Sequence, residues 1–260
     1  MYTPSIRHEP LNSNSLLGVL STMASSSSLN KFVFLFLAVL LFTFSDNFVA
    51  GDESDKVKLD LYYESLCPYC QKFIVDEIVK IFNSNLHTIT NLKLVPFGNA
   101  RVSDDMTVTC QHGEEECKLN AIEACAIRTW PDPKMHYWFI RCVEKNTKKW
   151  ESSCVKKYGG AKAIKDCYSG DLSRNLIMEY ANQTFGLKPK HEYVPWVTVN
   201  GEPLYDNMDD FVAQVCKAYK GKSSLPKLCN SSASPGKKVW KLQVSYADEA
   251  VNDKAKYLWN

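Results

Sequence analysis

The sequence predicts an α/β fold in which a β-α-β unit and a β-β-α unit flank a helical, cysteine-rich insertion. Three observations carry this reading. Apolar residues alternate with polar ones near both ends of the mature chain, as strands require. Helical periodicity follows the first and the last of these stretches. Between them, six cysteines gather on segments that read as helices.

The first 51 residues stand apart from that fold. Phe32–Phe42 (FVFLFLAVLLF) is unbroken apolar sequence, preceded by Lys31 and followed by Asn47-Phe48-Val49-Ala50-Gly51. A short apolar core with a basic residue before it and small residues after it is a secretory signal pattern. It falls short of the ~20 apolar residues that a membrane-spanning helix needs. Residues 1–51 therefore read as an N-terminal extension and signal peptide, with Met23 an alternative start to Met1. Residues 52–230 form the expected domain, its insertion at about 99–190. Residues 231–260 are a tail expected to be disordered or removed. The mature chain is expected in the secretory pathway, in a lysosome or vacuole or outside the cell, with no stable membrane insertion. Two sequons, at Asn182 and Asn230, suit glycosylation on that route. The net charge of +2 is too small to be the footprint of a nucleic-acid partner.

Within the domain, Lys56–Tyr63 (KVKLDLYY) alternates and reads as a strand. Cys67-Pro68-Tyr69-Cys70 follows. Beyond it, Phe73, Ile74, Ile78, Ile81 and Phe82 recur at helical spacing, and Pro68 occupies a first-turn position where its missing N–H is tolerated. Asn91–Phe97 alternates as a second strand. In the insertion, Glu114–Glu116 suit a helix start, and Cys117, Ala121, Ile122 and Cys125 are expected on one helix face. Leu172–Tyr180 reads as another helix, capped by Asp171 or Ser173. Tyr193–Val199 resumes strand character, Asn200-Gly201 is a hairpin turn, and Glu202–Tyr205 is the returning strand. Asp209–Tyr219 closes the domain as a helix.

All ten cysteines lie after position 51, and in an oxidising compartment most should pair. Cys67 and Cys70 differ from the rest by position. At the start of a helix the first thiol meets unbonded N–H groups and the positive end of the dipole. Both favour the thiolate, the form that attacks a disulfide. Cys67 is thus the expected nucleophile, exposed at the helix start, and Cys70 the resolving thiol. Three other fates stay open for them: a structural disulfide, half of a zinc site completed by residues such as Cys110 and His112, or separate partners. A second C-x₂-C or H-x₃₋₅-H is missing, and no metal is expected.

Pro195, after Val194, restricts its neighbour and removes a ladder donor at a strand start. Thioredoxin-like folds place a cis-proline loop beside their reactive disulfide, where backbone groups dock an extended substrate. Val194 and Pro195 hold the matching place here and are the candidate substrate-binding residues.

Cys110-Gln111-His112-Gly113-Glu114-Glu115-Glu116-Cys117-Lys118-Leu119-Asn120-Ala121-Ile122-Glu123-Ala124-Cys125 resembles the CQHGxxxCxxNxxxxC signature of the gamma-interferon-inducible lysosomal thiol reductase (GILT) family. Tyr62–Cys70 and Tyr193–Gly201 resemble its active-site and proline-loop segments. The likeness spans roughly Val57–Cys229. It implies a thioredoxin-like fold (β-α-β then β-β-α) with a helical, disulfide-stapled insertion. It also implies a reductase of protein disulfides with Cys67 and Cys70 as the redox pair, no bound cofactor, and a small external thiol as reductant. The signature is read as structural. The even set Cys110, Cys117, Cys125, Cys142, Cys154, Cys167, Cys216 and Cys229 is available for bridges whose pairing the sequence leaves open. A disulfide oxidase or isomerase, or a non-catalytic secreted cysteine-rich binding module, are the competing functions.

Overall fold

The computed structural model describes residues 53–232 and 244–247. The signal segment, most of the linker at 231–236 and most of the tail lie outside the described residues. Strand β1 (Val57–Tyr63) runs parallel to β2 (Thr90–Pro96) from Val57 opposite Thr90 to Tyr63 opposite Pro96. On its other side β1 pairs antiparallel with β6 (Trp196–Val199), and β6 pairs with β7 (Glu202–Pro203). The sheet order is thus β2-β1-β6-β7, with one parallel pair from the first unit and one hairpin from the second. That is the β-α-β plus β-β-α arrangement of a thioredoxin-like sheet.

The helix after β1 begins as α1 (Pro68–Lys72), widens into a π-helical turn at Phe73–Glu77, and continues as α2 (Val79–Asn83). Apolar periodicity could not reveal that turn, because Phe73, Ile74 and Ile78 stay buried through it. They meet Leu59, Leu61 and Tyr63 of β1 and Phe211 and Val215 near the end of the domain. The Phe73 and Phe211 rings pack edge to face at 5.6 Å. Burying each such side chain contributes roughly 1.5–3 kcal/mol, so this face of the sheet is a main source of cohesion.

The insertion opens on a small hairpin, β3 (Arg101–Val102) with β4 (Val108–Thr109), rather than on a helix. Then come α3 (Glu114–Thr129), α4 (Pro133–Lys145), a second π-helical turn at Glu151–Val155, α5 (Lys156–Tyr158), α6 (Ala161–Tyr168) and α7 (Asp171–Phe185). The single-face expectation for α3 is corrected. Ile122 and Cys125 join the large core, while Ala121, Ala124 and Cys117 face a second cluster with Tyr62, Phe97, Ile177 and Trp196. A helix wedged between two cores shows no clean apolar stripe. Gly170, not Asp171 or Ser173, holds the N-cap of α7, and Ser173 Oγ instead donates back to the carbonyls of Tyr168 and Gly170.

The stretch 193–199 divides. The Val194–Pro195 peptide is cis and separates β5 (Tyr193–Val194) from β6. After β7, residues Tyr205–Asp210 form a 3-10 helix, which leads into α8 (Phe211–Ala218). The expected returning strand is therefore shorter than Glu202–Tyr205. The last domain helix is followed by α9 (Lys227–Ser232), which runs past the expected boundary at 230. The tail departs furthest from expectation. Its segment β8 (Ser245–Tyr246) returns to the domain and pairs antiparallel with β5, Tyr246 opposite Tyr193 and Ser245 opposite Val194.

Candidate active site

Strand β1 ends in the loop Glu64-Ser65-Leu66, which delivers Cys67 to the N-cap of α1. Leu66 takes φ of 67°, a left-handed conformation that costs a bulky residue about 1–3 kcal/mol. That turn redirects the chain from strand to helix within one residue. Pro68 begins the helix, and the Gln71 N–H donates to the Cys67 carbonyl at 2.9 Å. Cys70 follows one turn later. Both cysteines are unbonded thiols.

Both are also fully buried, with 0% of their surface exposed, which corrects the expectation that Cys67 lies open at the helix start. Val194, the residue before the cis-proline, belongs to the same apolar cluster. Strand register explains this proximity. Tyr62 pairs with Trp196, so the positions that follow on β1 and precede on β6 bring Tyr63 and Pro195 to the same end of the sheet as Cys67. Burial, and then the hydrogen bond and charge of Cys67 beside it, push the Cys70 thiol well above its ordinary range. Cys70 is accordingly held as a protonated thiol.

The other eight cysteines form four bridges: Cys110–Cys117, Cys125–Cys167, Cys142–Cys154 and Cys216–Cys229. With Cys110 bonded to Cys117, a zinc site built on Cys110 and His112 is not available. Asn182 on α7 and Asn230 on α9 are both exposed.

The polar residues of the signature do more than the stapling expected of it. They close over the loop that precedes Cys67. The Ser65 N–H donates to Asn120 Oδ1 at 2.8 Å, and Asn120 Nδ2 donates to Glu116 Oε1 at 3.4 Å. Glu116 Oε2 accepts the His112 N–H at 2.6 Å and lies 2.8 Å from His112 Nδ1. The same imidazole nitrogen is 3.5 Å from Glu64 Oε1. Two carboxyl groups and one imidazole thus converge within 4.8 Å of one another. Glu64 and Glu116 are buried, whereas the His112 side chain keeps 22% of its surface exposed. Burial first, and then the nearby Glu116 and Cys67, raise the Glu64 carboxyl well above the usual carboxylate range.

Glu64 is fixed from its other side as well. Its Oε2 accepts the Asn99 N–H at 2.7 Å. Gly98, at φ of 60°, allows that approach, because a Cβ there would overlap the Glu64 carboxylate. Asn99 Nδ2 in turn donates to Gln111 Oε1 at 2.8 Å. A second acidic pair lies sealed in the core. Tyr63 Oη donates to Glu123 Oε2 at 2.6 Å, and burial raises both Glu123 and the neighbouring Glu144, which repels it.

Sequence reasoning singled out the two thiols, Val194 and Pro195, and missed Glu64, Asn99, His112, Glu116 and Asn120 as neighbours of the pair. The four-residue spacing of Glu116 and Asn120 on α3, with His112 just ahead of its N-cap, was the available signal. A surface cleft of about 550 Å³ is lined by Lys58, Asp60, Lys93, Pro133, His136 and Glu179 among others, and includes none of these residues.

A family model described as "Gamma interferon inducible lysosomal thiol reductase (GILT)" matches residues 58–158. The chain is 67% identical over 233 residues to the "Gamma-interferon-responsive lysosomal thiol protein" of Arabidopsis thaliana, covering 87% of this chain and 99% of that one. It is 37% identical over 194 residues to the mouse "Gamma-interferon-inducible lysosomal thiol reductase", covering 72% and 77%. Among solved structures it resembles BdbD from Bacillus subtilis, with a TM-score of 0.47 and 14% identity over 64% of this chain and 89% of that one. It also resembles DsbA from Chlamydia trachomatis, with a TM-score of 0.46 and 13% identity over 64% and 89%. The full-length match to the plant protein, together with the matched signature, places this chain in the GILT family.

Proposed function

We propose that the chain is a thiol reductase that cleaves disulfide bonds in protein substrates by exchange through Cys67 and Cys70. One observation carries the assignment of residues. Of ten cysteines, eight are bonded in pairs, and the two left as thiols sit together at the end of β1 and the start of α1. In the first step the Cys67 thiolate attacks one sulfur of the substrate disulfide, forming a mixed disulfide and releasing the other sulfur as a thiolate. Cys70 then gives up its proton and attacks the Cys67 sulfur. The Cys67–Cys70 disulfide forms and the second substrate sulfur leaves as a thiolate, which takes up a proton. The substrate gains two electrons that the pair loses, so a small external thiol must restore the pair before the next cycle.

Strand register brings Val194 and Pro195 to the same end of the sheet as Cys67, which supports docking of an extended substrate there. The signal pattern and the names of the relatives support delivery through the secretory route to a lysosome or vacuole, or release from the cell. Among the described residues, no helix is long and apolar enough to cross a membrane.

Replacement of the two cysteines tests the reading. Cys67→Ser abolishes reduction of a disulfide-bonded protein, and Cys70→Ser accumulates a mixed disulfide visible by mass spectrometry. Full activity in Cys67→Ser would falsify the assignment. A measured reduction potential near −120 mV, at the oxidising end for this chemistry, would reverse the direction to oxidase.

A further inference from the structure

The tail segment Val244–Ala247 occupies a narrow slot. On one side of it β5 pairs with β8. Two amides from separate elements also hold its main chain. Asn99 Nδ2 donates to the Ser245 carbonyl at 3.2 Å, and Gln111 Nε2 donates to the Tyr246 carbonyl at 2.8 Å. The Asn99–Gln111 hydrogen bond ties the two amides together. Most of what it recognises is main chain. Side chains add a 3.4 Å hydrogen bond from Ser245 Oγ to Gln111 Oε1, an edge contact of the Tyr246 ring on Tyr193 at 5.7 Å, and the packing of Val244.

The slot lies beside the redox pair. β5 ends at Val194, one residue before Pro195, and Val194 shares an apolar cluster with Cys67 and Cys70. Val244 packs onto that same cluster, and Ser245 is buried. A thiol that attacks a protein disulfide has to be reached, yet Cys67 has no exposed surface. Something near it must move. A strand pairing of two residues is marginal by itself, which suits a segment that can leave.

We propose that β5, Asn99 and Gln111 form a docking slot for the extended main chain of a disulfide-bonded polypeptide. We further propose that Val244–Ala247 of this same chain fills the slot as an internal occupant that keeps the redox pair closed. This rests on the reductase reading for its substrate, though not for its geometry. A slot that grips carbonyls through Gln111 and Asn99 places few demands on side chains, so it admits unfolded segments of varied sequence. A strand of the substrate replaces β8 by the same antiparallel pairing, as in strand addition generally. The Gln111 of the signature thereby gains a role in binding.

The test compares the full-length wild type with Ser245→Pro, which breaks the strand, and with Tyr246→Ala, whose side chain is half-exposed and outside the core. Cys67 alkylation by iodoacetamide at one fixed pH, read by mass spectrometry, reports access without requiring catalysis. If the tail covers the slot ~90% of the time, its release speeds alkylation about tenfold in Ser245→Pro, with a smaller gain in Tyr246→Ala. The kcat/KM for a disulfide-bonded protein rises in parallel. A synthetic peptide of residues 241–250, added to Ser245→Pro, restores slow alkylation. Equal alkylation rates in all three proteins, or no protection by the peptide, would overturn the proposal. Faster alkylation and peptide protection in proteins that reduce no disulfide would sustain the slot and sink the reductase reading. Reduction at equal rates by wild type and both variants would do the reverse.

Discussion

The sheet and the insertion use the same residue for opposite purposes. In the β-α-β and β-β-α frame, Cys67 and Cys70 are free, and the sheet is held by strand pairing and by packing of Leu59, Leu61, Phe73 and Phe211. In the insertion, Cys125–Cys167 and Cys142–Cys154 tie helix to helix. Cys110–Cys117 pins the hairpin of β3 and β4 to the start of α3. The frame itself carries one bridge, Cys216–Cys229 at its last helix, and the free thiols are confined to the start of α1. The signature joins the two, since its cysteines staple while His112, Glu116 and Asn120 reach across to the loop before Cys67.

The sharpest way to break this comparison is to remove the long bridge. Cys125→Ala with Cys167→Ala opens a loop spanning 42 positions, worth about 4 kcal/mol in the chain-entropy account. The expected result is a large fall in the denaturation midpoint with the insertion loosened first, measured by hydrogen exchange. Removing Cys110–Cys117, which spans 7 positions, costs less, about 2.4 kcal/mol by the same account. Its effect on reduction should nonetheless be the larger of the two, because Gln111 and His112 lie inside that loop. A stable variant with unchanged kcat/KM would show that the short bridge only staples.

A pH dependence distinguishes the buried carboxyls from the bridges. Glu64, Glu123 and Glu144 all titrate higher in the folded chain than in the unfolded one. Between the ordinary glutamate value and those raised values, the folded state binds more protons than the unfolded state. Their contribution is therefore full below about pH 4.3 and is lost as pH rises, by up to about 1.4 kcal/mol per pH unit for each proton. Thermal stability should fall from pH 5 to pH 8, which suits an acidic compartment. Glu123→Gln, which keeps an acceptor for Tyr63 Oη, should flatten that slope. An unchanged slope would remove Glu123 from the account.

What the sequence made legible was local. β1, the CxxC at a helix start, the strand into Pro195 and the Asn200-Gly201 turn are each written within a few residues. The π-helical turn at Phe73–Glu77 was hidden because burial persists through it. The Glu64–His112–Glu116 cluster was hidden because its members come from a loop and a distant helix start. The placement of β8 was the least readable, since Asn99 and Ser245 meet across 146 positions. The burial of Cys67 followed from the same long-range packing and contradicted a reading based on its helix position alone.

The spacing of the bridges also bears on how the chain acquires them. Three close over 7, 12 and 13 positions, and one over 42. Closure entropy rises only slowly with loop length, and separation alone does not select these bridges: Cys117 and Cys125 are 8 positions apart and Cys154 and Cys167 are 13, yet neither pair is bonded. Once the three short bridges exist, four thiols remain, and four thiols permit three pairings. Cys67 and Cys70, three positions apart, are the nearest of these and close readily on each other as a transient disulfide. Cys125 and Cys167 are then left without any other partner. Correct formation of the long bridge thus depends on Cys67 and Cys70 pairing with each other or staying reduced.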